Sequence, residues 1–260
     1  MTTGTSNRYD ETNIQTMELV YGRGYMSAGG DEEVARIVGT VTITNKKILD
    51  IGCGLGGAVI SLVRDHGAAH VHGIDIDDGL LNRAAQLVEA ARVSERVTLT
   101  STQPGPLPFD PASFDVVYVT ATSCHVENLS VFFQQIHRVL NPGGRLIGGE
   151  WFKGENNTAY RTWDTLLRDR GLNFSFVDQP NFEQALRAGG FSTISIADRT
   201  LATMNLAEGY LRQVENKLYE TLLSSLGEKG LASFMTWTRG RYQCFAEDGM
   251  RYGHFQAKKD

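Results

Sequence analysis

Short apolar runs alternate along most of the chain with segments whose apolar positions recur at helical spacing. The runs predict strands at residues 46–51, 70–75, 97–101, 114–119 and 145–151. Between the second and third of these strands, Leu81, Ala84 and Val88 fall on one face of a helix. Because repeated strand–helix units produce parallel strands with right-handed crossovers, the pattern predicts an α/β fold with a doubly wound parallel sheet.

The ends of the chain depart from this alternation. Two further short strands are predicted at residues 192–197 and 251–257, and we place them at the sheet edge, the second as a C-terminal antiparallel edge strand. Residues 1–30 predict an N-terminal lid, and residues 31–260 a single domain with helical insertions at about 152–190 and 199–246. Ligands of open α/β sheets bind beyond the carboxyl ends of the strands, so the insertions are expected to line a substrate pocket. The alternative is that they only cover the sheet.

Composition and net charge exclude several classes of protein. With 260 residues, 41% of them hydrophobic and 21% charged, the chain can bury a full core and is neither disordered nor fibrous. A net charge of −5 without a Lys/Arg block argues against nucleic acid, and no apolar run is long enough for a membrane span. Three scattered cysteines and a polar start favour reduced thiols, no metal site and a cytoplasmic protein acting on a small molecule.

A glycine-rich loop follows the first predicted strand. It contains Gly52, Gly54 and Gly56 between that strand and a predicted helix. Glycine lets the backbone turn sharply and approach a ligand without a clash at Cβ. The spacing suits either a dinucleotide or S-adenosylmethionine, so by itself it indicates only an adenosine-containing cofactor.

Two carboxylates near this loop favour the methyl donor. Asp75 ends the second strand, where a carboxylate can accept hydrogen bonds from both hydroxyls of a ribose. Asp50 lies two residues before Gly52, where it would repel a pyrophosphate but attract a cofactor with a sulfonium and an ammonium group. The alternative role for Asp50 is to order the turn by accepting backbone N–H bonds.

In combination, four motifs resemble the class I S-adenosylmethionine-dependent methyltransferases. They are the glycine loop at 49–57, Gly73-Ile74-Asp75, Phe114-Asp115-Val116-Val117-Tyr118 and Leu140-Asn141-Pro142-Gly143-Gly144. The resemblance covers roughly residues 47–151 and implies a Rossmann-like methyltransferase sheet with S-adenosylmethionine as the cofactor. It also implies donor contacts from the glycine loop, Asp75 and the adjacent Ile76. In this family an acidic residue after strand three usually meets the adenine, and Gln103 takes that place here.

A closer resemblance extends beyond this core. Arg8-Tyr9-Asp10, residues 21–30 and the tail 251–257 are similar to phosphoethanolamine methyltransferases, whose layout glycine-type amine methyltransferases share. The resemblance implies that Tyr9 and His125 form a catalytic pair and that Tyr21 and Ser27 contact the donor. An imidazole titrates in the range needed to remove a proton from the methyl acceptor. The alternatives are a structural role for His125 and lid packing for Tyr9.

The expected substrate pocket departs from the phosphoethanolamine pattern, in which tyrosines, an arginine and a lysine bind the phosphate. The corresponding positions carry Trp151, Leu172, Phe174 and Gln243, so the cationic partners of a phosphate are expected to be missing. Glu150 is then the acid left for a cationic substrate, although it can equally hydrogen-bond the lid or the donor loop.

These losses lead to a specific expectation about the substrate. We expect methyl transfer to a carbon or nitrogen of a small, largely uncharged, indole-like aromatic metabolite that packs against Trp151 and Phe174. The alternative is N-methylation of a small amine of the phosphoethanolamine or glycine type, with Glu150 and the aromatic wall binding the cation. An NAD-dependent oxidoreductase and a donor-binding subunit without activity are the remaining hypotheses.

Overall fold

The computed structural model describes residues 11–39, 41–169 and 171–260, which form a seven-stranded sheet with helices on both faces. The strands are β1 Lys47–Ile51, β2 His70–Asp75, β3 Val97–Ser101, β4 Phe114–Thr120, β5 Leu140–Lys153, β6 Thr193–Asp198 and β7 Met250–Lys258. Their order is β3-β2-β1-β4-β5-β7-β6, with β1 to β5 parallel. The predicted doubly wound α/β sheet is therefore confirmed.

Nine α-helices occur in the described ranges. They are α1 Glu11–Tyr21, α2 Gly30–Val38, α3 Gly57–Arg64, α4 Asp78–Ala90, α5 Leu129–Val139, α6 Asn157–Asp169, α7 Gln179–Ala188, α8 Thr200–Asn216 and α9 Tyr219–Ala246. Short polar side chains begin several of them: the carboxylate of Asp77 accepts from Leu80 N–H, and Asn128 accepts in the same way at the start of α5. The first cap places the start of α4 directly after the carboxyl end of β2, whereas α5 begins after a short 3₁₀ turn that follows β4.

The sheet edge differs from the expectation in one respect. The C-terminal strand β7 is antiparallel, but it lies between β5 and β6, so β6 forms the edge. The burial patterns agree with this order, because β7 alternates buried with half-buried residues, whereas the residues of β6 are exposed or half-buried, as is common at an edge. β5 is also longer than predicted, because residues 140–144 continue the strand after α5 ends at Val139.

Three apolar clusters hold these layers together. One lies between the sheet and the side of α2, α3 and α4, and a second lies between the opposite face and α5 and α7. In the second cluster Phe182 of α7 packs against Phe133, Phe152 and Phe255. Thus α7, inside the insertion 152–190, covers the sheet, which is the simpler of the two roles considered for that segment.

The third cluster joins α1 to α6, α8 and α9 above the carboxyl ends of β4 and β5, and we call it the cap cluster. It includes Tyr21 of α1, Cys124 after β4, Trp163 of α6 and Trp237 of α9. α1 and the later helices therefore cover the carboxyl ends of β4 and β5, where ligands of this architecture bind. Within the described ranges, every helix is too short or too polar to span a bilayer.

Candidate active site

The glycine loop adopts a conformation that requires its glycines. Gly52, Gly54 and Gly56 have φ values of 75°, 51° and 81°, in the left-handed region. The N–H groups of Gly52 and Cys53 both donate to the carbonyl of Ile74, at 2.8 and 3.0 Å, which ties the loop to β2. A Cβ on Gly52 would also lie only 2.3 Å from Oγ1 of Thr122. The loop is thus tied to β2 by hydrogen bonds and packed against Thr122, which follows β4.

Asp75 lies beside this loop at the end of β2. Its carboxylate accepts from the N–H of Gly54 at 2.9 Å and from the N–H of Asp77 at 3.1 Å, and burial raises its pKa. These two bonds use only part of the carboxylate's capacity, so lone pairs remain for ribose hydroxyls. The neighbouring Ile76 is 62% exposed, which leaves an apolar surface where the resemblance implies the adenine ring.

Gln103 follows β3 on the same side of the sheet. The N–H of Thr102 donates to the carbonyl of Asp75 at 2.9 Å, so the segment that carries Gln103 begins next to Asp75. The side chain of Gln103 is exposed. Its predicted contact with the adenine amine stays a prediction.

Asp50 is buried beneath the loop, with 2% of its surface exposed. Its Oδ2 has no hydrogen-bond partner, and burial, followed by repulsion from Asp75, raises its pKa to about 8. A buried carboxylate oxygen without a partner is costly, and a cationic ligand group would relieve that cost. The turn-ordering alternative finds no support at Oδ2, because no backbone N–H reaches it.

The segment 22–29, between α1 and α2, lies over the glycine loop, and we call it the lid segment. Gly57 N–H donates to the carbonyl of Gly24 at 3.1 Å, and the methyl group of Met26 fills the space beside Gly54. Ser27 is half-buried in this segment, and its predicted contact with the donor stays a prediction. The hydroxyl of Tyr21, at the end of α1, accepts a hydrogen bond from Arg241 of α9, and its predicted contact with the donor stays a prediction.

These features fit S-adenosylmethionine. The glycines of the loop lack the Cβ atoms that would clash with the groups packed against them. Asp75 can still accept hydrogen bonds from a ligand. Asp50 has a buried oxygen without a partner, which suits a cationic ligand group. Residues Gly52 to Gly56, Asp75 and Asp50 would therefore hold the donor, with Ile76 and Ser27 beside it.

His125 closes the short 3₁₀ turn Ser123–His125 after β4. Its ring lies edge-on to Phe174, with ring centroids 4.9 Å apart. The N–H of Ser175 donates to the carbonyl of Cys124 at 2.7 Å, which anchors the segment after α6 to this turn. The structure therefore brings two predicted site residues, His125 and Phe174, into contact. Tyr9, the predicted partner of His125, lies outside the described residues.

Glu150 and Trp151 are adjacent residues near the carboxyl end of β5. Glu150 is 1% exposed, and its carboxylate accepts from Ser123 N–H, Ser123 O–H and Trp151 N–H. Burial raises its pKa, whereas these donors lower it. The ring of Trp151 packs between Phe245 and Tyr252, at centroid distances of 5.3 and 5.0 Å. Glu150 is thus engaged with the turn that carries His125, and not with the lid or the donor loop, which were the alternatives to a substrate contact.

Arg241 is a functional candidate that the sequence analysis missed. It is 7% exposed, its Nη1 donates to the Tyr21 hydroxyl at 2.7 Å, and its guanidinium lies 4.9 Å from the Trp237 ring. Its Nε and Nη2 are buried without a partner. Gln243, the position compared with the family's cation, instead bonds Glu247 on the surface. The spacing of Trp237 and Arg241 on one face of α9 was the sequence signal available for this residue.

Comparisons with known proteins agree with this geometry. A family model described as a methyltransferase domain matches residues 49–148. A phosphoethanolamine N-methyltransferase of Plasmodium falciparum is 26% identical over 98% of this chain and 94% of its own length. Phosphoethanolamine N-methyltransferase 1 of Zea mays is also 26% identical, over 97% of this chain. The chain spans only 49% of the maize protein.

A solved structure supports the fold. Phosphoethanolamine N-methyltransferase 2 of Haemonchus contortus, in complex with S-adenosyl-L-methionine, superposes with a TM-score of 0.88 at 24% identity. The superposition covers 98% of this chain and 58% of that one. Residues 49–148 thus match a methyltransferase domain, and over nearly its full length the chain is similar to phosphoethanolamine N-methyltransferases and shares the fold of one of them.

Proposed function

We propose that this chain transfers a methyl group from S-adenosylmethionine to the nitrogen of a small amine that also carries an anionic group, as phosphoethanolamine does. The observation that carries the proposal is Arg241, a buried cation with two unpartnered donor atoms in the cap cluster. An arginine side chain is almost never fully buried unless it is paired. The unpartnered donors therefore favour an anionic ligand group at this position.

The surroundings of Arg241 suit a phosphate or carboxylate. The guanidinium has planar N–H donors that match the oxygens of such groups, and the Tyr21 hydroxyl, held by Nη1, can donate to the same ligand. Tyr21 contacts Tyr210 edge-on at 5.0 Å, so aromatic rings enclose the charged group on several sides. Exclusion of water by these rings strengthens an ion pair relative to one at the surface.

This proposal replaces the indole-like substrate expected from the sequence. That expectation depended on the loss of a cation for the phosphate, but Arg241 supplies a buried cation from a different position on α9. The relatives also favour the amine alternative. The Haemonchus contortus enzyme has been determined in complex with phosphomonomethylethanolamine and S-adenosylhomocysteine.

On the donor side, S-adenosylmethionine supplies an activated methyl group when it is bound. The task of the chain is then to bind and align, which can contribute a large part of a rate enhancement. Asp75 orients the ribose, Asp50 balances positive charge, and the lid segment excludes water from the loop.

On the acceptor side, a primary ammonium group has to lose a proton before its nitrogen can act as a nucleophile. His125 is the base that we propose for this step, because it follows β4 in the same short segment as Thr122, whose side chain lies against Gly52 of the donor loop. Phe174 and Phe176 form an apolar wall beside the imidazole, and such a wall favours the neutral amine. Tyr9 is proposed as the hydrogen-bonding partner of His125 on the basis of the family resemblance.

Comparison of phosphoethanolamine with ethanolamine tests the proposal. The two substrates share the nitrogen and differ in the phosphate that Arg241 would bind. We expect kcat/KM for phosphoethanolamine to exceed that for ethanolamine by roughly 30-fold or more, since a buried charge pair contributes about 2 kcal/mol or more. Equal rates for the two amines, measured by mass spectrometry with labelled donor, would contradict an anion subsite.

A further inference from the structure

The turn that carries His125 is held by a buried carboxylate from the neighbouring strand. Glu150 lies at the carboxyl end of β5, which pairs in parallel with β4, so its side chain reaches the residues that follow β4. Oε2 accepts from the backbone N–H of Ser123 at 3.0 Å and also from the Ser123 hydroxyl. Oε1 accepts from Trp151 N–H at 2.9 Å.

This arrangement leaves Glu150 little capacity for a substrate. Both of its oxygens accept hydrogen bonds, and all the partners are donors, which suits the ionised carboxylate. Glu150 is 1% exposed and Ser123 is 3% exposed, so water does not compete for these bonds. Such a buried network is strong when every member is satisfied, and it fixes the geometry of the backbone that takes part in it.

The turn needs this support because its backbone is unfavourable by itself. Ala121 has a φ of 50°, in the left-handed region that a residue with a Cβ rarely adopts. Its N–H donates to Gly149 at 3.0 Å, and Thr122 Oγ1 lies 3.1 Å from the carbonyl of Ile51 and 3.0 Å from that of Thr120. Thr122 therefore ties the turn to β1 and β4, and Ala121 and Ser123 tie it to β5, all within four residues of His125.

We propose that Glu150 is a positioning residue that sets the orientation of His125 through Ser123, rather than a ligand of the substrate. The inference rests on the proposed role of His125. Only Cys124 separates Ser123 from His125 within one 3₁₀ turn, so a shift of the Ser123 backbone moves the imidazole directly. Displacement of a reacting group by about 1 Å can lower a rate by roughly 100-fold.

Four variants separate positioning from general stability. Glu150→Gln removes the charge and one acceptor, and Ser123→Ala removes the hydroxyl donor. Glu33→Gln is the matched control for a buried carboxylate, because Glu33 is 9% exposed and bonds His254 of β7. Ser61→Ala is the control for a buried hydroxyl that donates to a carboxylate, here Asp65 at 3.0 Å.

Kinetics provide the first measurement. We expect Glu150→Gln to lower kcat roughly 10- to 100-fold and Ser123→Ala about 3- to 10-fold, with KM and donor affinity within about twofold. Both controls should stay near wild type. In a His125→Ala background the Glu150→Gln effect should shrink to less than about twofold, because residues that act through one another are not additive. An effect of undiminished size in that background would overturn the inference.

Amide hydrogen exchange keeps the inference testable if the proposed substrate fails. Glu150→Gln should raise the exchange rate of the amides at 122–126 about 10-fold or more in the folded, substrate-free protein, whereas Glu33→Gln should not. Faster exchange in a protein that does not methylate phosphoethanolamine would support the positioning role and reject that substrate. Unchanged exchange in the segment would overturn the positioning role whatever the substrate.

Discussion

Replacement of Arg241 by Met should lower the activity strongly while it changes the stability of the fold only slightly. The guanidinium forms one hydrogen bond, to Tyr21, while Nε and Nη2 have no partner. Methionine keeps an unbranched apolar stem of similar reach and removes the charge. A buried arginine that served only the fold would be fully paired, and loss of a paired buried charge costs about 3–5 kcal/mol of stability.

For Arg241 the stabilising and destabilising contributions to the free energy of unfolding nearly cancel in the substrate-free protein. Unpartnered donors cost about 1–3 kcal/mol each. The Tyr21 bond contributes about 1.5–3 kcal/mol and the contact with Trp237 about 0.5–2 kcal/mol. We therefore expect Arg241→Met to change the free energy of unfolding by no more than about 1–2 kcal/mol, or a few degrees in Tm. Addition of Tyr21→Phe should recover part of any loss, because it removes the hydroxyl that is left without a donor.

The same substitution should strongly affect the substrate. Removal of one partner of a desolvated charge pair costs about 2–4 kcal/mol, so kcat/KM for phosphoethanolamine should fall roughly 30- to 1,000-fold. Arg239→Met, two residues earlier on α9, is the matched control, because its side chain is 59% exposed and pairs with Glu215 at the surface. A kcat/KM within about threefold of wild type, or a stability loss above about 3 kcal/mol, would refute this account of Arg241.

Three further predictions concern the donor and the base. Asp75→Ala should weaken S-adenosylmethionine binding by about 1.5–3 kcal/mol in calorimetry, since an ionised acceptor is lost; wild-type affinity in a folded variant would remove Asp75 from the site. His125→Ala should lower the single-turnover rate roughly 10²- to 10⁴-fold with donor affinity nearly unchanged, and survival of that rate would make the histidine structural. Because the pKa of Asp50 is raised to about 8, its contribution to stability is present below pH of about 4 and lost as the pH rises through 8. Denaturant titrations should show this fall, on the order of 1 kcal/mol or more, in the wild type but not in Asp50→Asn.

The sheet and the position of the glycine loop could be predicted because local signals determine them. Strand periodicity, the glycine loop and Asp75 each occupy a short stretch of sequence, and parallel strands bring their carboxyl ends to one edge. The same reasoning correctly placed β7 antiparallel to its neighbours, but it could not give the order of β6 and β7. That order depends on which strand buries both faces, a property of tertiary packing.

The acceptor side could not be predicted in the same way. Arg241 and Tyr21 are 220 residues apart in the chain and meet only because α1 packs against α9. A comparison by position assigned the family's cation to Gln243, which the helix turns toward solvent. Glu150 was recognised as an acid at the correct strand end, but its engagement with Ser123 required the pairing of β4 with β5.

One competition experiment tests the central claim most directly. The wild-type protein is incubated with labelled S-adenosylmethionine and equal concentrations of phosphoethanolamine, ethanolamine, glycine and indole, and the products are counted by mass spectrometry. The ratio of products gives the ratio of kcat/KM values under identical conditions. The account predicts that N-methylated phosphoethanolamine dominates by roughly 30-fold or more. Predominant methylation of indole, or of ethanolamine without its phosphate, would contradict it.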